Sequence, residues 1–577
     1  METQRNLLTI SLLAICAILY FKWVDFSALK QQPLQEQVQP DNGVPQLAVD
    51  PVSSPLDSIP SVDDVKIPTD SVADKPDALI TVTTDMVVAT INTKGGVIER
   101  LELRKHLADI NNPNEGFALL KNDASEVFVV EDGLAPSPAS SKSPNHQTHY
   151  LYSETDYDLG SADTLEVPLT WVSEDGIKYV KTFTFKRDDY LVDINYQIIN
   201  ASTKPWRGKF YGQFNRTEPT ESNGSFGRLP SHTGAAIYEP VDKYQKLDFG
   251  DILDRDEDER KRQYENKRRK IQDKKSKNTL ETNTGWVAMM QHYFIGAWLP
   301  EKGPKTFFTK ANKNANPNYR VGYTSDFINV DQNQTKSIST QLYLGSKEYS
   351  RLHDLEEKGF DGIDLAIDYG FLTFIAEPLF IALSYIHKIV GNWGWAIIFL
   401  TILIKAVFYP LSAASYRSMG KMKKLQPRMA TLKERYKDDR QKFQVEMMAL
   451  YKKEKVNPAG GCLPMLIQIP VFIALYWVLL ESVEIRHAPF ALWWVDLSAK
   501  DPYYVLPVLM GLTQFLMMKL NPAPMDDIQK KVMMIMPFAL MFLFMTFPQG
   551  LVLYWVVNNI LTMTQQWFNY RQQEAAA

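Results

Sequence analysis

Lys405 lies in the run Trp393 to Leu411, whose other members are almost all apolar. It stands twelve residues after Trp393 and six before Leu411. At the rise of a helix this is roughly 18 Å from one end and about 9 Å from the other. Holding an ammonium group at such depth costs about 2.5 to 3.5 kcal/mol on insertion scales. A long side chain can relieve that cost by snorkelling. Thr401 and Ser412 share its helical face, however, at minus four and plus seven. A polar stripe predicts a wet recess in place of a lone cation. Other apolar runs supply matching groups. Gln468 sits between Pro464 and Pro470, and Thr513 and Gln514 sit in the run Tyr503 to Leu520. Near the C-terminus Trp555, Asn559, Thr562 and Gln566 follow at four, three and four residues, flanked by Asn558 and Gln565. Each alone is explained by an interhelical hydrogen bond worth about 0.6 kcal/mol. Together with Lys405 they predict a water-filled recess that binds charged or polar groups transiently.

Covalent chemistry is not expected. No Gly-rich loop ends in Lys-Ser or Lys-Thr, so no nucleotide phosphate loop is read. No histidine pair has the spacing of a zinc site, and neither a metal nor a cofactor is expected. The two cysteines, Cys16 and Cys462, lie in or beside apolar segments, so the soluble region has no disulfide framework. The apolar runs hold no histidine, no aspartate pair and no Gly-x-Ser-x-Gly elbow, which argues against an intramembrane protease. The charge balance, 63 basic against 67 acidic residues, is uninformative because the charge is unevenly placed.

The elements that must position these residues follow from patterning. Leu7 to Val24 is an 18-residue apolar stretch after Arg5, with no small-x-small site before Asp25. It reads as a retained anchor over residues 1–26. Ile15 before Cys16 is the wrong residue for lipoprotein processing. Residues 27–77, rich in Pro, Asp, Ser and Gln, form a linker with too little apolar surface to fold. Residues 78–350 show period-two runs such as Tyr179 to Phe185 and Tyr190 to Ile199, with turns at Gly95-Gly96 and Asp175-Gly176. They predict a β-sandwich. Arg255 to Lys277 within it is a charged helix or insertion, whose acids argue against nucleic acid. Residues 351–392 connect to the apolar part. Five spans follow, over Trp393 to Leu411, Leu463 to Leu480, Tyr503 to Leu520, Val532 to Phe547 and Leu551 to Phe568. Trp393, Trp395, Trp493, Trp494, Tyr503 and Tyr504 mark their outer ends.

Residues 412–460 carry thirteen Lys or Arg against five acids, which places this loop in the cytoplasm. Met419, Met422, Leu425, Met429 and Leu432, then Phe443, Met447, Leu450 and Tyr451, predict a helical hairpin. Its basic surface suits anionic lipid, RNA or an incoming chain. If Phe371 to Val390 lies flat in the outer interface, parity puts the β-domain outside and both termini inside, with six spans in all. Spans 461–571 and a short tail, 572–577, complete the chain.

The sequence resembles the YidC family in GNWGWAIIFLTILIKAVFYPLS (391–412), VNPAGGCLPMLIQIPVFIALYWVLL (456–480), PFALWWVDLSAKDPYYVLPVLMG (489–511) and MPFALMFLFMTFPQGLVLYWVVNN (536–559). INTKGG (91–96), GWVAMMQHYFIGAWLP (285–300) and TQLYLG (340–345) extend the resemblance over nearly everything except the linker and the Arg255 to Lys277 insertion. The resemblance implies a membrane protein insertase of the bacterial inner membrane, with a five-helix core around a hydrophilic groove open to the cytoplasm. It implies a periplasmic β-supersandwich of sugar-mutarotase type. Lys405 takes the place of the family's groove cation, where many members carry Arg. Tyr554 and Trp555 take the place of a substrate-contacting tyrosine pair. The expected groove set is Lys405, Thr401, Gln468, Thr513, Gln514, Tyr554, Trp555, Asn558, Asn559, Thr562 and Gln566. The partners implied are nascent inner-membrane proteins, the Sec translocon and membrane lipids, with ribosome or signal-recognition components at the basic hairpin. The tail carries little charge beyond Arg571, so tail-mediated ribosome docking is not expected. The rival reading, a secondary transporter with a Lys405-lined solute site, predicts inverted repeats, which the sequence does not show.

Overall fold

The computed structural model describes residues 78–137, 142–219, 231–269, 278–312, 317–437, 439–454, 463–520 and 527–575. The expected anchor, the linker, the end of the charged insertion at 270–277, positions 455–462 and the last two residues of the tail lie outside these.

Period-two sequence becomes strand where one face can be buried. In Ile177–Lys186 every second residue, from Ile177 through Tyr179, Lys181 and Phe183 to Phe185, points inward. Such strands form two sheets. The first runs Thr279–Thr282, Lys305–Asn312, Asn318–Ser325, Trp206–Thr217, Val127–Pro136, Gly116–Asn122, Val97–Leu107, Val87–Asn92, Leu79–Thr83 and Asp156–Asp158, with Ile328–Val330 also pairing to Trp206–Thr217. The second runs Lys243–Leu247, Gly234–Glu239, Trp286–Met290, Phe294–Leu299, Thr335–Ser346, Leu191–Asn200, Ile177–Lys186 and Thr164–Val172. Pairing is antiparallel except between Leu79–Thr83 and Asp156–Asp158. Aromatic rings fill the space between the sheets. Phe214 of the first lies 6.2 Å from Trp298 of the second, and Phe210 lies 6.1 Å from the same ring. Lys181, a cation in the inward row, donates to Asp132 Oδ2 at 2.8 Å and to the Gly96 carbonyl. Tyr196 donates to the other oxygen of Asp132 at 2.6 Å. A buried charge is tolerable only when paired and fully hydrogen-bonded, and this one is.

Ten helices follow chain order among the described residues: α1 (Phe249–Arg269), α2 (Tyr349–Glu357), α3 (Thr373–Val390), α4 (Trp393–Val407), α5 (Tyr409–Arg435), α6 (Arg440–Lys453), α7 (Leu463–Glu481), α8 (Val505–Leu520), α9 (Asp527–Phe544) and α10 (Gln549–Ala575). The described part of the charged insertion, from Arg255 to Arg269, lies in helix α1. Asn392 caps α4 by accepting from the Trp395 amide at 3.1 Å. One difference from the sequence reading matters. The expected span over Trp393 to Leu411 is not one helix, because Phe408 leaves helical geometry between α4 and α5. The plus-seven register from Lys405 to Ser412 therefore does not run along a continuous helix. By length and apolarity alone, Gly370–Val390 suffices to cross a bilayer, whereas Gln468–Glu481, Val505–Leu520 and Met533–Phe544 are apolar but shorter.

Two compact units result, one containing Leu411–Leu466 and the other Ile59–Pro410 with Ile467–Arg571. In the first, α5 and α6 pair as the hairpin pattern requires. Leu425, Met429 and Tyr451 are buried together, and Arg428 meets Glu454 at 2.7 Å. In the second, the C-terminal end of α7 is set into the β-domain. Glu481 is wholly buried, accepts from Ser231 Oγ at 3.1 Å and lies 3.8 Å from Lys347 Nζ and 3.6 Å from His292 Nε2. Just beyond it, Glu484 accepts the Tyr349 amide at 3.0 Å.

Candidate functional site

Lys405 stands in the last turn of α4. Its Nζ donates to Thr562 Oγ1 of α10 at 2.8 Å and to Gln468 Oε1 of α7 at 3.4 Å. The Thr562 hydroxyl proton is committed to the Asn558 carbonyl at 2.6 Å. Its oxygen is therefore left to accept from the ammonium. Gln565 Nε2 donates to the Lys405 carbonyl at 3.3 Å, closing α10 onto α4. Thr562, Lys405 and Gln468 thus form one chain of polar groups across three helices. Among the described residues both partners of the Lys405 ammonium are neutral, and no carboxylate neutralises it.

An aromatic cluster lies next to this chain. Tyr554 is buried and stacks on Phe472 with centroids 6.3 Å apart. Trp555 meets the Phe472 ring edge-on at 4.6 Å and packs 5.3 Å from Phe544. Its indole Nε1 is buried without a hydrogen-bond partner among the described residues. An amide or indole hydrogen left unpaired in an apolar setting costs about 1 to 3 kcal/mol.

The other expected site residues fall elsewhere. Thr401 is buried and spends its hydroxyl on the Ile397 carbonyl at 2.6 Å. Thr513 accepts from Asn559 Nδ2 at 3.2 Å, which joins α8 to α10. Gln514 is buried nearby, and its Oε1 has no hydrogen-bond partner among the described residues. Gln566 is buried and donates to the Tyr570 hydroxyl at 3.3 Å. The structure thus divides the eleven residues. Lys405, Gln468, Thr562 and the Asn558 carbonyl share one hydrogen-bonded chain, with Tyr554 and Trp555 beside it. Thr513 and Asn559 form a separate interhelical bond. Gln565, which the spacing places beside the polar face, turns out to hold the backbone of Lys405. Glu481 and Lys347 were not flagged by sequence. An acid and a cation at the ends of apolar runs look solvated until the fold buries them together.

Two family models match the chain, the YidC periplasmic domain over residues 79–382 and the 60Kd inner membrane protein over residues 385–576. The membrane protein insertase YidC of Saccharophagus degradans is 45% identical over 498 residues, covering 86% of this chain and 84% of that one. The corresponding protein of Pseudomonas fluorescens is 40% identical over 583 residues, covering 100% and 99%. Among solved structures, an active YidC insertase overlaps with a TM-score of 0.37 at 17% identity, covering 85% of this chain and 92% of that one. A galactose mutarotase related enzyme from Lactobacillus acidophilus overlaps at 0.27 and 11%, covering 46% and 97%. Both overlaps are too loose to support an argument about geometry. The sequence matches are not: they run in order from the first strand to the last helix, and the chain belongs to the YidC family of inner-membrane protein insertases.

Proposed function

We propose that this protein inserts and helps fold the transmembrane segments of other inner-membrane proteins, using Lys405 as the cation of a hydrated groove open to the cytoplasm. One observation carries the reading: the Lys405 ammonium is held at a fixed place by two neutral oxygens and by no acid among the described residues. Its counter-charge is left for a passing carboxylate to supply. A substrate's polar flank must cross a layer where charge is expensive. A cationic recess partway through shortens that layer. The apolar segment then slides along α7 and α9 into lipid, and its transfer to hydrocarbon provides the drive without a nucleotide. A groove of this kind releases what it binds, because a long cation–carboxylate pairing in a wet site is weak.

The topology that goes with this reading has six spans, cytoplasmic termini and a periplasmic β-domain. Helix α3, long enough to cross, is placed flat in the outer interface. What supports that placement is its contact with α2, the helix that follows the last strand of the β-domain. The Tyr349 hydroxyl donates to Glu377 at 3.0 Å, and the Phe380 ring lies 5.3 Å from that of Tyr349. The middle of α3 is thus held by an extramembranous helix. Nascent chains are the proposed partners, with the Sec translocon for some, and the basic hairpin at 412–460 as the face toward ribosome or signal-recognition components. Nothing in the comparisons favours the solute-transporter reading.

The test is insertion of single-span substrates with acidic or neutral translocated tails into vesicles bearing the protein. Lys405→Arg is expected to work nearly as well as the parent. Lys405→Glu is expected to slow acidic-tailed substrates at least tenfold while neutral tails change little, a tenfold effect being about 1.4 kcal/mol. Equal rates for Lys405→Glu and the parent on every substrate would remove the electrostatic role.

A further inference from the structure

A polar cavity lies apart from Lys405, between the β-domain and the start of α3. It has a volume of about 420 Å³ and is walled by the strand Lys243–Leu247, the segment 364–370 and the first turns of α3. That size is within the usual range of small-molecule sites. Its charged lining has both signs. Lys246 pairs with Asp368 in the wall. Asp364 and Glu377 also line it, and neither has a basic partner among the described residues. Among the described residues Glu377 accepts only the Tyr349 hydroxyl. Burial, followed by repulsion from Glu356 and Glu377, holds the Asp364 carboxyl above its ordinary range. The cavity thus presents two carboxyl groups that no basic side chain meets among the described residues.

Its mouth is apolar. Phe371, which lines the cavity, is 79% exposed, and Phe374 one turn on is 72% exposed. Ile381, Tyr385 and Ile389 continue the exposed stripe at helical spacing along α3. On the interfacial placement of α3 proposed above, on which this inference rests, the stripe lies among acyl chains and the cavity opens at headgroup level.

We propose that this cavity is a headgroup site for a phospholipid bearing a primary ammonium, phosphatidylethanolamine in its simplest form. The chemistry of the walls matches a zwitterion. A primary ammonium offers three N–H donors, which two unpaired carboxylates and a tyrosine oxygen can take up. A quaternary ammonium offers none, so phosphatidylcholine cannot make those bonds. The phosphate falls to Lys246, whose side chain stays 34% exposed beside Asp368. The glycerol backbone and acyl chains then leave over Phe371 and Phe374. A lipid so held pins the start of α3, and with it the joint between β-domain and core, to the outer leaflet.

The experiment uses the full chain in nanodiscs of equal parts phosphatidylethanolamine, phosphatidylcholine and phosphatidylglycerol. Lipids retained after gentle release are counted by native mass spectrometry. The expected result is one phosphatidylethanolamine kept in several-fold excess over the other two. The double variant Asp364→Asn, Glu377→Gln should lose that excess while keeping the parent's melting temperature. Equal retention of phosphatidylcholine by the parent would overturn the proposal, and needs no variant. So would undiminished selectivity in the double variant, or selectivity abolished by a chelator, which would assign the carboxylates to a divalent cation. The reading of Lys405 stands or falls separately, since none of these outcomes touches the groove.

Discussion

Thr562 is the smallest unit at which the groove can be tested, because its hydroxyl has both functions assigned. It donates to the Asn558 carbonyl and accepts from Lys405. Thr562→Val keeps the shape and removes both bonds. The ammonium then retains only Gln468 at 3.4 Å, a long contact. Losing one well-placed hydrogen bond is worth about 1 kcal/mol, or roughly a fivefold change in rate. We expect Thr562→Val to slow acidic-tailed substrates by about that factor and neutral-tailed ones hardly at all, with Thr562→Ser near the parent. The comparison is an insertion assay with paired tails. A uniform loss on both tails would mean that Thr562 only packs. The sequence revealed Lys405 and Thr562 because polar residues in apolar runs stand out. It did not reveal how they divide. The spacing of Trp555, Asn559, Thr562 and Gln566 put them on one stripe, yet Asn559 turns to Thr513 while Thr562 turns to Lys405. Which neighbour a helix face meets is a tertiary fact that periodicity does not contain.

At the scale of elements, the joint between α7 and the β-domain turns on one buried pair. Glu481 and Lys347 are both almost inaccessible, 3.8 Å apart, with Ser231 supplying a hydrogen bond. Removing one partner of such a pair leaves an uncompensated charge in a dry site and costs about 3 to 5 kcal/mol, whereas removing both charges is often close to neutral. Lys347→Met is therefore expected to lower the unfolding temperature clearly. Lys347→Met combined with Glu481→Gln should recover most of the loss. The check is a thermal melt of the four proteins in the same detergent, read as a double-mutant cycle. If the two single effects simply add, the residues do not share an interaction. Helix types and strand types in this region were legible from sequence, since the apolar runs and the period-two alternation are long. The break at Phe408 does have a sequence signal, because Pro410 two residues on cannot donate to the Ala406 carbonyl, but the unbroken apolar run around it hides that signal.

For the whole molecule, remote pairing is what sequence withholds. Leu191–Asn200 pairs with Thr335–Ser346 across more than a hundred residues, and Glu481 reaches Ser231 at a separation of 250. Local pattern predicts that strands exist but not which lie side by side. The same long-range closure gives the assembled chain a pH dependence that its composition does not suggest. Glu484 sits where the turn after α7 meets α2, and burial there pushes its carboxyl from 4.5 up to about 7. Folded protein thus keeps a proton that the unfolded chain releases above about pH 4.5. Between that value and about 7 the folded state binds more protons than the unfolded one, so stability falls as pH rises, and it levels off above. The melting temperature of the intact chain should therefore drop from pH 5 to pH 8, opposite in sign to a carboxylate that gains a salt bridge on folding. Glu484→Gln carries no titrating group at this place and keeps a side-chain acceptor for the Tyr349 amide. It should melt with a shallower slope over the same range and nearly match the parent at pH 5. If parent and variant fall in parallel, the Glu484 carboxyl ionises as freely in the folded chain as in the unfolded one, and the joint is open to water.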